Sequence, residues 1–302
     1  MFDAQKFIDE KVEELRGQIQ GHAIIGCSGG VDSTVATVLV AKAVGDKLKA
    51  VFVDTGYMRK NEASDVEKIM QDMKVNYSIV DASQEFFSAL AGVVEPETKR
   101  KIIGERFIRV FERESKEWDS KYLVQGTIAP DWIESGGGPR DTIKSHHNVG
   151  GLPEQMGLEL VEPLRDLYKD EVRKVGRTLG IPTAERQPFP GPGIAVRILG
   201  EATPEAVHIV QEASAIAEEE MEKAAERGEM ELPWQYFAVL LPVKSVGVHG
   251  DVRAYGYTVG IRAVQSIDGM TAAYSKIPHP VLERISVRIT TVSYTHLTLP
   301  TN

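Results

Sequence analysis

The chain has 302 residues, with 35 Lys and Arg against 44 Asp and Glu, a formal charge of −9 at neutral pH with histidine neutral. That acidic balance excludes a general nucleic-acid or membrane-surface binder, whose affinity comes from clustered basic side chains neutralising phosphates, so any anionic ligand must meet donors placed locally. The composition is ordinary, 42% hydrophobic and 26% charged with 27 Gly and 15 Pro, and there is no repeat or low-complexity block, so neither disorder nor a solenoid is favoured.

Beyond about 250 residues a single core tends to divide, so one large domain and a smaller one are expected. Ile8, Val12, Leu15 and Ile19 recur at helical spacing, which predicts an amphipathic helix over the first 20 residues. The N-terminus is charged from Asp3 onward and has no apolar signal core, and the longest apolar runs, such as 236–241, fall far short of a membrane helix; a cytoplasmic chain is expected. Short β-branched runs then follow at 22–27, 48–53, 75–80 and 122–124, separated by helical stretches that include 32–44, 61–73 and 97–118. Near-continuous apolar strands alternating with helices predict an α/β fold, a doubly wound and mainly parallel sheet with ligands at the carboxyl ends of its strands.

The proline- and glycine-rich stretch 187–193, QPFPGPG, can continue neither a helix nor a central strand. It divides the chain into domains 1–185 and 186–291. The second is expected to be α+β, with a charged helix over 204–227, β-rich segments at 236–248 and 253–264, and a last helix at 281–290.

The single cysteine, Cys27, excludes an internal disulfide and every paired-cysteine metal or redox motif. At the end of an apolar run it reads as a packed thiol, with a nucleophile as the alternative.

The segment Ser28-Gly29-Gly30-Val31-Asp32-Ser33-Thr34 lies between the first predicted strand and a helix. Two glycines let the backbone approach a phosphate chain, Ser28 and Ser33 add hydroxyls, and the helix begins with its N–H groups and positive dipole end at the same place. It is neither a Walker loop, lacking Gly-Lys-Ser/Thr, nor a dinucleotide fingerprint. Asp32 in such a cradle would repel phosphate unless a cation lay between, which makes it the first candidate for Mg²⁺; the alternative is an ordinary helix-start residue.

This S-G-G-V-D-S segment resembles the pyrophosphate loop of the N-type ATP pyrophosphatases, which split ATP between its α and β phosphates and transfer AMP to a substrate oxygen. Val51-Phe52-Val53-Asp54-Thr55-Gly56 resembles the strand end that receives adenosine in such folds. Gln125-Gly126-Thr127-Ile128-Ala129-Pro130-Asp131, with Glu134 a turn later, ends another strand. Together with the segments Ile143-Lys144-Ser145-His146-His147-Asn148-Val149-Gly150-Gly151-Leu152-Pro153 and Glu162-Pro163-Leu164-Arg165-Asp166-Leu167-Tyr168-Lys169-Asp170-Glu171-Val172-Arg173, and with QPFPGPG, these closely resemble the ATP pyrophosphatase part of the GMP synthetase family and its small C-terminal dimerisation domain. The similarity runs from the first helix to about residue 290.

The resemblance implies adenylation of XMP at its C2 oxygen with release of pyrophosphate, followed by displacement of AMP by ammonia to give GMP. It implies ATP binding by Ser28, Gly29, Gly30, Val31, Asp32, Ser33, Thr34, Val53, Gly126 and Thr127, with Asp32, Asp131 or Glu134 available to hold Mg²⁺. It implies that Lys144, His146 and His147 form a catalytic lid carrying positive charge to the α-phosphate. Taken alone, that segment also reads as a solvated loop, or as metal-ligating histidines without a third ligand at a familiar spacing. It implies XMP contacts from Arg100 and Asp251, with Arg253 nearby. As bare residues, these would be a helix surface charge and a hairpin turn.

In this sequence the pyrophosphatase part starts at residue 1, so the two-subunit form is expected from the resemblance, in which a separate glutamine amidotransferase subunit supplies ammonia. A homodimer through the C-terminal domain is likewise implied. Residues 292–302 depart from the family pattern, which puts XMP use and dimerisation by this chain in question.

Overall fold

The computed structural model describes residues 2–134, 157–182, 186–249, 252–266, 271–292 and 297–300. The chain divides into two compact units, one of 1–55, 61–82 and 104–186, the other of 56–60, 83–103 and 187–302.

The first unit opens with helix α1 (Ala4–Gln18), capped by Asp3, whose Oδ1 accepts the Lys6 N–H at 3.0 Å; Ile8, Val12 and Leu15 form its buried face. Strand β1 (Ala23–Gly26) follows, then helix α2 (Val31–Val44) and strand β2 (Leu48–Asp54). Helix α3 (Glu62–Asp72) leads to β3 (Tyr77–Asp81); α4 (Ser83–Leu90) and the first turns of α5 (Pro96–Glu117) belong to the second unit, and the rest of α5 returns to the first, followed by β4 (Tyr122–Val124), α6 (Ala129–Glu134), β5 (Glu159–Val161) and α7 (Lys169–Thr178). The five strands are parallel in the order β3-β2-β1-β4-β5.

Leu48, Ala50, Val51, Phe52 and Val53 are all buried along β2, as a strand covered on both faces requires. Helix α2 packs against α1, α7, β1 and β2, and is buried nearly all round. Its two buried hydroxyls are satisfied inside the helix: Thr34 donates to Gly30 O at 2.8 Å and Thr37 to Ser33 O at 2.7 Å. Strand order reverses at β1, so the loops after β1 and β4 flank the crevice where open parallel sheets bind ligands.

In the second unit a 3-10 turn (Gly193–Arg197) precedes helix α8 (Pro204–Glu226), whose N-cap Thr203 accepts the Ala206 N–H at 3.2 Å. Strands β6 (Gln235–His249) and β7 (Val252–Gln265) form a long antiparallel hairpin, with a register slip between Leu241 and Lys244. Strand β8 (Ala273–Tyr274) and helix α9 (His279–Val292) follow, and β9 (Leu297–Pro300) pairs parallel with β7 from Thr258 to Ile261. The hydrophobic side of α8, including Val210, Ala213, Ala217 and Met221, is fully buried, and the helix packs on β6 and α9.

The α/β architecture and the mainly parallel sheet match the sequence expectation. So do the helices and strands it names, each within about three residues at either end. Strand β5 and helices α4 and α7 are not singled out by periodicity. The first has three residues, and α4 buries only Phe86 and Leu90, too few positions to fix a period. Among the described residues no helix is long and apolar enough to cross a membrane.

An ion-pair network ties α8 to α9. Arg288 donates to Glu220 at 2.7 Å and Glu219 at 2.6 Å, while Arg284 donates to Glu220 at 3.1 Å and Glu229 at 2.7 Å. Hydrogen bonds from Lys223 and Arg288 hold the Glu219 carboxyl down at about 2. A carboxyl depressed in the folded state stabilises above its unfolded value, and that contribution is lost as pH falls toward the folded one. The melting temperature should therefore drop as pH falls from about 4.5 toward 2. Arg288→Gln should melt lower than the parent at pH 7, with the gap closing toward pH 2 in paired melting curves.

Candidate active site

The loop after β1 is built from its own side chains and held from inside the fold. Ser28 and Ser33 hydroxyls lie 3.1 Å apart, Ser33 Oγ donates to Gly30 O at 3.1 Å, and the Ser28 N–H donates to Ser33 Oγ at 3.3 Å. Gly30 is the N-cap of α2, so the amides of Val31, Asp32 and Ser33 in the first turn have no intrahelical acceptor. Ser28 and Gly30 are exposed, and Asp32 and Ser33 partly so; this is the face a phosphate chain can reach. Val31 and Thr34 are buried, and the Thr34 hydroxyl serves Gly30 O, so their side chains support the loop and only their backbone groups can meet a ligand. Val53 is likewise in the core at 3% exposure, which limits it to backbone contact with an adenosine.

Gly29 has φ +73°, and a Cβ there would lie 2.4 Å from Glu62 Oε1. Only glycine adopts that conformation in that space without strain. Burial raises the Cys27 thiol above its ordinary value and outweighs the hydrogen bonds that favour the thiolate; Cys27 is a packed thiol rather than a nucleophile.

The loop after β4 closes the other side. A Cβ on Gly126 would stand 3.0 Å from both Asp32 C and Ser33 N, so Gly126 is pressed against the first turn of α2, and Thr127 follows it in the same loop. The Ala129 N–H donates to Leu167 O at 2.9 Å, which draws the segment before α7 alongside. Lys169 then reaches Asp32, its Nζ 2.8 and 2.6 Å from the two carboxylate oxygens. Asp131 sits in the first turn of α6 and accepts the Ile128 N–H at 3.0 Å.

The donor set suits Mg²⁺ as substrate-bound ions are usually held, by one or two carboxylates with phosphate oxygens supplying the rest; Asp32 would exchange Lys169 for the ion. Among the described residues no group of three or more His, Cys, Asp and Glu could hold a metal by itself.

In the second unit, Arg100 donates through Nε to Glu97 at 2.8 Å, and that bond raises its pKa. The neighbouring Lys99 is fully buried, and its ammonium donates to the carbonyls of Ala195, Ile198 and Gly200 at 3.1, 2.8 and 2.5 Å. This fixes the segment that carries Arg197. Arg197 is 3% exposed, stacked on Phe237 at 3.9 Å and near Phe189 at 5.0 Å, and among the described residues none of its guanidinium nitrogens has a hydrogen-bond partner. Burial, with the charge of Arg59, lowers it to about 10. A buried guanidinium without acceptors is suited to an anionic group.

Arg253 lies on β7 opposite Val248. Lys144, His146, His147 and Asp251 lie outside the described residues.

Sequence reasoning did not single out Lys169, Glu62, Arg186 or Arg197. Lys169 stands inside a quoted segment without a distinguishing signal. Arg197 had one: it is the only charge in the apolar run Ile194-Ala195-Val196-Arg197-Ile198.

An anion cradle at the switch point of a parallel sheet marks a nucleotide-binding α/β protein. The family model "NAD synthase" matches residues 1–108, and "GMP synthase C terminal domain" matches residues 219–294. A subunit of GMP synthase [glutamine-hydrolyzing] from Methanopyrus kandleri is 58% identical over 294 residues, covering 96% of this chain and 92% of that one. Its counterpart from Pyrococcus abyssi is also 58% identical, over 95% of this chain and 91% of its own length. The chain therefore belongs to the family of GMP synthase (glutamine-hydrolysing) subunits that these two proteins represent. Among solved structures, NMN synthetase from Francisella tularensis aligns with TM-score 0.50 at 16% identity over 64% of this chain and 78% of its own, a likeness of fold.

Gly126→Ala should reduce kcat/KM for ATP at least tenfold, because its methyl group would displace the first turn of α2. The melting temperature should fall by only a few degrees, corresponding to about 1–3 kcal/mol of overpacking. Steady-state kinetics and thermal melting on one preparation check both.

Proposed function

We propose that the chain is the ATP pyrophosphatase subunit of a two-subunit GMP synthase. The observation that carries the reading is the strand-loop-helix cradle of residues 28–34, which Gly126 closes at the switch point of the sheet.

ATP lies across the carboxyl ends of the strands, its β and γ phosphates on the amides of α2 and the hydroxyls of Ser28 and Ser33. The C2 oxygen of XMP attacks the α-phosphorus, and pyrophosphate leaves into the cradle. An oxygen that is a poor leaving group thereby becomes part of AMP, a good one. Ammonia adds at C2 and AMP departs, giving GMP.

The loop supplies fixed donors where charge builds on the leaving pyrophosphate, the arrangement that stabilises a transition state without reorganisation. Asp32 and Asp131, with the phosphates, would hold a Mg²⁺ ion, which would supply further charge neutralisation on the triphosphate. Lys144, His146 and His147 bring positive charge to the α-phosphate. Arg100, Asp251 and Arg253 bind XMP, and the buried Arg197 guanidinium is a further donor for its phosphate.

Ammonia comes from a separate glutamine amidotransferase subunit, and the enzyme works in the cytoplasm. A homodimer through the second unit fits the exposed apolar side of the hairpin, where Val246 and Tyr255 pair across the strands with Val243 nearby, at 51%, 69% and 53% exposure.

The purified chain with ATP, Mg²⁺ and ammonium should release pyrophosphate and form GMP only when XMP is added. ATP binding without XMP-dependent release would contradict the reading. Lys144→Ala should lower kcat at least tenfold, and Arg100→Ala should raise the KM for XMP at least fivefold with kcat changed less, as initial rates will show.

A further inference from the structure

Glu62 is the first residue of α3, follows Asn61 at φ +61°, and is 2% exposed. Its Oε1 faces both an arginine and the backbone of the phosphate loop. It accepts from Arg186 Nη1 at 2.8 Å, and it lies 2.4 Å from where a Cβ on Gly29 would stand, with Val66 Cγ2 at 3.1 Å from the same point. The other arm of the Arg186 fork donates to Asp65 Oδ2 at 3.0 Å. One carboxylate oxygen thus supports the middle of the phosphate loop and is itself clamped by an arginine that bridges two carboxylates on α3.

A buried carboxylate is costly unless paired, and one beside an anion-binding loop also opposes the ligand. Arg186 removes both objections by neutralising the charge while leaving the shape.

We propose that Glu62, clamped by Arg186, is a positioning residue for the pyrophosphate loop, the wall on which Gly29 is seated. The pair controls affinity for the pyrophosphate end of ATP and leaves the AMP end unaffected. This rests on the reading of residues 28–34 as the pyrophosphate loop.

The position and the charge of the pair act separately. Replacing Arg186 leaves a buried negative charge facing the loop, so Arg186→Gln should weaken binding more than Glu62→Gln does. Removing both partners should recover part of the loss, which simple damage to the fold would not do.

The test is calorimetric titration of the full chain with inorganic pyrophosphate in the presence of Mg²⁺, and separately with AMP, in the parent and in Glu62→Gln, Arg186→Gln, the double variant and Ser33→Ala. The expected result is pyrophosphate binding weakened at least tenfold in Arg186→Gln, less in Glu62→Gln and in the double variant, with AMP binding within twofold of the parent throughout. Unchanged pyrophosphate affinity in folded Arg186→Gln, or equal weakening of both ligands, overturns the proposal. Arg186 is partly exposed and outside every helix and strand, so Arg186→Gln decides the matter alone if Glu62→Gln does not fold. Ser33→Ala separates the two claims. If it too leaves pyrophosphate unaffected, the loop reading fails; if it alone weakens binding, only the role of Glu62 fails.

Discussion

The structure turns on the junction between β1 and α2. A buried strand ends, a buried helix begins, and the residues between them must leave room for an anion with no side chain in the way. Gly29 is held against Glu62 Oε1, and Gly126 closes on Asp32 and Ser33 from the next strand. The burial of α2 on nearly every side, with Thr34 and Thr37 bonded within the helix, fixes where the amides of its first turn stand.

In a chain with a net charge of −9 the placement of each local cation matters, and the structure shows three ways of keeping cations in place. Lys169 rests on Asp32, an exchangeable pairing within reach of solvent. Arg186 is committed to two carboxylates and cancels a charge behind the loop. Lys99, engaged by three carbonyls, holds the segment of Arg197, whose guanidinium lies between aromatic rings with no acceptor among the described residues. Each residue is basic, yet only local geometry distinguishes a ligand donor from a structural clamp.

Most of the fold was legible in the sequence because the central strands β1 and β2 of the first unit are buried on both faces, and that burial shows as unbroken apolar runs such as Val51-Phe52-Val53. The loop was legible because the spacing of its glycines and serines expresses a requirement of the backbone. The elements that were missed are short: β5 is set by pairing with β4, and α4 by the burial of Phe86 and Leu90, neither of which leaves a period to read. Within the site, the roles of Val31, Thr34 and Val53 were ambiguous from sequence, since a residue in a binding loop can face the ligand or the core; all three side chains face the core. Glu62 and Arg186 are 124 positions apart, and no local pattern records that they meet.

The central claim is that the chain transfers AMP to the C2 oxygen of XMP, and the fate of that oxygen tests it most directly. XMP labelled with ¹⁸O at C2, turned over with ATP, Mg²⁺ and ammonium, should deliver the label to the phosphate of AMP and leave pyrophosphate unlabelled. Label appearing in orthophosphate with ADP as the other product, or in bulk water, would contradict cleavage between the α and β phosphates and with it this account of the site.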